Sequence, residues 1–73
     1  MSNWVNRQIA ERLKDLRLDL GLTQDQLAQY AGIDRKTVNR IENEHFSPSI
    51  DTLFRLATVF GVHPSEILKG IYQ

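Results

Sequence analysis

The sequence has no cysteine, which excludes a disulfide framework, a thiolate metal site and a cysteine nucleophile. It has no excess of either charge: nine Lys and Arg stand against nine Asp and Glu, so no strong global field steers a partner. Apolar runs are only a few residues long, too short for a membrane-spanning helix. The opening residues Met-Ser-Asn-Trp-Val lack a basic stretch followed by an apolar one, so export is not expected and a cytoplasmic location is the default. Prolines number two and glycines four, and there is no repeat, low-complexity tract or linker. What remains is 73 residues, 41% hydrophobic and 25% charged, which suits one globular domain spanning 1–73. A domain this small has a thin stability margin unless its helices pack well or it pairs with a second copy.

The apolar pattern is helical throughout. From about Asn3 to Leu20, the residues Ile9, Leu13, Leu16 and Leu20 recur at steps of four, three and four, and Gly21 follows as a helix terminator. Thr23 and Gln26 have capping-box spacing, opening a short helix that carries Leu27, Ala28 and Ala31 inward and breaks at Gly32. Asp34 caps the next helix, Arg35 to about Asn43, with Val38 and Ile41 three apart. Pro48 interrupts the chain, and Ser49 caps a fourth helix with Leu53, Leu56, Ala57 and Phe60 before Gly61. His63-Pro64-Ser65-Glu66 starts a last short helix, with proline at its tolerated first position. No segment alternates with period two. The expected fold is all-α, a bundle of about five short helices.

The segment Leu22 to Asn43 carries the functional signal. Two short helices flank the tight turn Ala31-Gly32-Ile33-Asp34, the layout of a helix-turn-helix, whose second helix can enter the DNA major groove. With Val38 and Ile41 turned to the core, Arg35, Lys36, Asn39 and Arg40 fall on the outward side. Arginine and lysine donate to guanine N7 and O6, and asparagine pairs with adenine N6 and N7, each bidentate contact giving about 1–3 kcal/mol of discrimination.

In this register, Ile9 to Leu68 resembles the DNA-binding domain of lambdoid phage repressors, Cro proteins and restriction–modification controller proteins, the xenobiotic-response-element helix-turn-helix family. The resemblance rests on Leu22-Thr23-Gln24-Asp25-Gln26-Leu27-Ala28, on Gly32 through Val38, and on Ile41-Glu42-Asn43. Pro48-Ser49, Leu56-Ala57 and Phe60-Gly61-Val62 continue it. It implies base contacts for Arg35, Lys36 and Arg40, with Asn39 adjacent, and a phosphate contact for Gln24 at a helix N-terminus. Thr23, Thr37 and Asn43 are further phosphate candidates. It also implies a partly buried ion pair between Arg17 and Glu42, structural in role.

The chain departs from the family after the recognition helix. Many members have glycine and then basic residues there, where this chain has Glu44, His45 and Phe46. Residues 31–43 carry three positive and two negative charges, and 1–20 four and three, while 21–30 and 44–73 are each one negative. The basic character is a narrow stripe, so fewer backbone contacts and a lower salt slope than in a more basic relative are expected.

Other residues read structurally. His45 and His63 have no supporting ligands, so neither a metal site nor a general base is expected, and no cofactor. Ser47, Ser49 and Ser65 read as caps or turn residues, with no positioned base to make a nucleophile. Trp4 either covers the core edge or contacts a partner. Ile71 and Tyr72, if ordered, are expected at a dimer interface with parts of the fourth and fifth helices.

One recognition helix reads too few base pairs to select a genomic site, so a homodimer on a palindromic double-stranded DNA operator is expected, with recognition helices about 34 Å apart. The expectation is a transcriptional regulator acting mainly as repressor and autoregulator. With no effector domain in these residues, control would come from concentration, dimerisation and operator occupancy. The resemblance also implies a second route, activation by touching RNA polymerase from an adjacent site. The alternative is a protein-interaction module such as an antitoxin-like partner, favoured by Phe46 and Glu44. No phosphate loop, metal-ligand spacing or nucleophile–base pair supports an enzyme.

Overall fold

The computed structural model describes residues 2–71, which form five α-helices. These are α1 (Ser2–Asp19), α2 (Gln24–Ala31), α3 (Arg35–Glu42), α4 (Ile50–Phe60) and α5 (Pro64–Leu68). The helix α3 packs against both α1 and α2, α4 packs on α2, and α5 closes over α1 and α4. Each helix contributes one of the five large side chains that are almost wholly buried: Leu13, Leu27, Ile41, Leu56 and Ile67. Burying each contributes about 1.5–3 kcal/mol, and a helix lost from the assembly would open this shared centre. Among the described residues no strand occurs, and no helix is long and apolar enough to cross a membrane.

Helix boundaries follow the expected chemistry. The Thr23 hydroxyl accepts from Gln26 N at 3.0 Å while the Gln26 side chain accepts from Thr23 N at 2.9 Å, a reciprocal capping box. Asp34, Ser49 and His63 cap α3, α4 and α5 through side chains that accept from Lys36 N, Thr52 N and Ser65 N. His63 is thereby committed to a cap, its Nδ1 3.1 Å from Ser65 N.

The apolar stripe of α1 ends earlier than its spacing suggests. The helix stops at Asp19, and Leu22 N reaches back to Arg17 O at 3.1 Å, so the chain reverses before Leu20 can turn inward. Leu20 is exposed and Leu16 only half-buried. Ile71 differs in the other direction. Instead of presenting surface to a partner, it is 8% exposed and joins the core cluster of its own chain. Tyr72 lies outside the described residues. Trp4 remains exposed on the first turns of α1.

Two polar side chains of α1 hold distant backbone in place. Asn6 is buried, donates to Glu44 O at 3.5 Å and accepts from the Ser47 hydroxyl, tying α1 to the segment between α3 and α4. Arg12 donates to Glu66 O, and to Lys69 O at 3.1 Å, satisfying carbonyls at the end of α5.

Candidate nucleic-acid interface

The turn between α2 and α3 is built from a glycine and a cap. Gly32 has φ +70°, and Ile33 N then reaches Ala28 O at 3.0 Å, closing α2. A Cβ at Gly32 would sit 3.3 Å from Arg55 Nη1, the end of a half-exposed flexible side chain that can shift aside, so it is the left-handed backbone that calls for glycine. Asp34 immediately restarts the chain as a helix, its Oδ1 2.9 Å from Lys36 N. The angle between α2 and α3 is then locked by Leu27, Ala28, Ala31, Val38 and Ile41, all buried in one cluster.

Behind α3, Val38, Ile41 and Glu42 are buried; in front, Arg35, Lys36, Asn39 and Arg40 are exposed. At 100° per residue the four outward positions span an arc of about 140° opposite the core. Arg35, Lys36 and Arg40 take no part in the ion pairs formed among the described residues, which are Arg7–Glu44, Arg17–Glu42 and Arg55–Asp51. Their charges are therefore available to an outside acceptor. Arg35, Lys36 and Asn39 line, with Gln24, a concavity of about 240 Å³, while Arg40 lies further along the same helix. No group of three or more acidic or histidine side chains gathers for a metal among the described residues.

Beneath this face runs a connected polar chain. Arg17 forms a two-pronged ion pair with Glu42, Nε to Oε2 at 2.7 Å and Nη2 to Oε1 at 2.9 Å. Its Nη1 also donates to Leu22 O at 2.8 Å. The Glu42 side chain is only 2% exposed, so its charge is stabilised by these contacts rather than by water. Gln24 Nε2 donates to Glu42 Oε1 at 3.0 Å, and Gln24 Oε1 accepts from Asn39 Nδ2 at 3.1 Å. Gln24 thus connects the ion pair to the outward face of α3. Of the remaining candidates, Thr23 is exposed and engaged in its capping box, Thr37 is half-buried, and Asn43 is exposed with Nδ2 donating to Asn39 O at 2.9 Å.

After α3 the chain reverses through Glu44, whose φ of +66° is the one positive value on a described residue other than glycine. His45 N then bonds Arg40 O at 2.9 Å, the same closure that Gly32 provides for α2. Sequence reasoning missed Asn6, which holds this reversal, though it stands three and seven residues before Ile9 and Leu13 on the apolar stripe. That spacing was the available signal.

A helix-turn-helix family model matches residues 13–67, which span α2, the turn and α3. The transcriptional regulator PuuR of Escherichia coli (strain K12) is 36% identical over 59 residues, covering 81% of this chain and 32% of that protein. The immunity repressor protein of Bacillus phage phi105 is 35% identical over 60 residues, covering 82% of this chain and 42% of the repressor. This chain therefore spans less than half the length of either relative. Among solved structures, the restriction–modification controller protein C.AhdI from Aeromonas hydrophila superposes with a TM-score of 0.81 at 32% identity, covering 85% of this chain and 94% of that one.

Proposed function

The chain belongs to the helix-turn-helix family of transcriptional regulators, and from that premise we propose that it binds operator DNA in a sequence-specific way, with α3 as the recognition helix. The observation that carries this reading is the α3 face: two arginines, a lysine and an asparagine, all exposed, on a helix whose opposite side is buried. Arg35, Lys36, Asn39 and Arg40 meet base edges, where guanidinium, ammonium and carboxamide groups match guanine and adenine. Thr23, Gln24, Thr37 and Asn43 approach the flanking phosphates from the starts of α2 and α3 and the end of α3. The 73 residues act as one DNA-binding unit.

The protein works as a homodimer on a palindromic site, in which two recognition helices double the sequence that is read. Ile50 and Phe54 support this: they stand one helical turn apart on α4, 70% and 55% exposed, an apolar pair that pairing would cover. Occupancy of the operator represses the adjacent promoter, and often the protein's own, in the cytoplasm. Activation would need a further contact with RNA polymerase.

The test is binding of duplex DNA by Arg35→Ala and Arg40→Ala beside the parent chain. Both positions are exposed, so heat unfolding should stay unchanged while operator binding falls by an order of magnitude or more. Unchanged DNA binding in both variants would overturn the reading and favour a protein-interaction role.

A further inference from the structure

The polar chain beneath α3 has a direction. The Glu42 carboxylate, ionised and held by Arg17, can only accept hydrogen bonds. Gln24 must therefore turn its NH2 group toward Glu42, and its carbonyl oxygen faces the other way. That oxygen can only accept, so it fixes the NH2 group of Asn39 against it. An amide's orientation is assigned from its hydrogen-bond partners, and here the assignment propagates from a group with no alternative. Asn39 is left with one N–H and its carbonyl oxygen, a donor and an acceptor in fixed order on an exposed face.

Adenine offers the complementary pair in the major groove, an N7 acceptor beside an N6 donor. Guanine offers two acceptors, N7 and O6. An asparagine free to flip could turn its NH2 group toward either acceptor of guanine. One held in a single orientation faces guanine O6 with its own oxygen and rejects it.

We propose that Gln24 is a specificity-positioning residue: through it, the Arg17–Glu42 ion pair fixes the orientation of the Asn39 amide, so that α3 selects adenine over guanine at the base pair Asn39 meets. This rests on the reading of α3 as a recognition helix. It gives Gln24 a role apart from phosphate contact. The remaining Gln24 N–H can still reach a phosphate, but that contact carries no sequence information.

The experiment measures binding of the full chain to its selected operator and to duplexes in which each half-site position is changed in turn. Asn39→Ala identifies the position concerned as the one whose preference it flattens. Gln24→Met keeps the length of the side chain and removes both the donor and the acceptor of its amide, and Gln24→Ala repeats the test should the methionine disturb packing. The expected result is an adenine-over-guanine preference of about tenfold in the parent chain, falling to about twofold in the Gln24 variants. Preferences at the positions read by Arg35 and Arg40 stay unchanged. A uniform loss across all duplexes with the adenine preference intact would overturn the proposal and leave Gln24 as a phosphate contact. So would an Asn39→Ala variant that flattens no position. If the parent chain discriminates among no sequences at all, the recognition-helix reading fails first and this inference falls with it.

Discussion

Glu44 offers a test in which a backbone effect and a charge effect can be separated. Its φ of +66° places an L-residue with a full side chain in the left-handed region, at a cost of about 1–2 kcal/mol that glycine does not incur. The conformation is imposed because His45 N must return to Arg40 O and Glu44 N to Ile41 O, at 2.9 and 3.1 Å. Alanine at 44 keeps the strain, whereas glycine removes it but gives the unfolded chain more freedom, worth about 0.4–1 kcal/mol. Glu44→Gly should therefore be more stable than Glu44→Ala by about 0.5–1 kcal/mol, equivalent to roughly 2–8 °C in Tm for a domain of this size. The ordering is the reverse of that in a helix interior, where glycine is the worse residue. Both variants lose the same exposed contact with Arg7, 3.8 Å long, so it cancels from the comparison. Both also remove a negative charge just beyond α3. A unit charge about 10 Å from a phosphate in water is worth ~0.4 kcal/mol, so each should bind DNA about twofold more tightly at low salt. Urea unfolding followed by circular dichroism, with DNA titrations on the same preparations, measures both. A glycine variant less stable than the alanine variant would refute the left-handed reversal.

Three further outcomes follow from the same contacts. Glu42→Ala strands Arg17, whose side chain is 12% exposed, and should cost about 3–5 kcal/mol, enough to leave much of the protein unfolded by calorimetry at 37 °C. The salt dependence of operator binding should be shallow, with a log–log slope no steeper than about −3 per protomer, the limit reached when all three basic side chains of α3 displace counterions; a slope near −10 would require a broader basic surface. Phe54→Glu places a charge on an exposed apolar position of α4, so in the proposed dimer it should shift sedimentation toward monomer relative to the parent chain at equal concentration, with little change in Tm; equal dimer in both would place the interface elsewhere.

The parts of this structure that could be read from the sequence are those fixed by neighbours a few residues apart. Thr23 with Gln26, Asp34 before α3, Ser49 before α4 and Pro64 after His63 are local devices, and each sits where its spacing places it. Leu27, Val38, Ile41 and Leu56 are likewise legible as core, because helical periodicity puts them on one face. The outward set on α3 follows from the same periodicity. What escaped was set by distant backbone. Asn6 is fixed by Glu44 and Ser47, and Arg12 by carbonyls at 66 and 69, partners that no local pattern connects. Ile71 follows Gly70 near the end of the sequence, and only the packing of α5 shows that the core continues to it. The double engagement of Gln24 was hidden for the same reason, since Glu42 and Asn39 come alongside it only once α3 has crossed α2.

Whether α3 reads DNA sequence is decided by selecting bound duplexes from a random library at physiological salt. A dimeric reader should return a palindromic consensus with half-sites about 10–10.5 base pairs apart, centre to centre, or a multiple of that spacing. Arg35→Ala and Arg40→Ala should lose that consensus. Recovery of no enriched sequence, with only weak salt-sensitive binding left, would contradict the reading of α3 as a recognition helix.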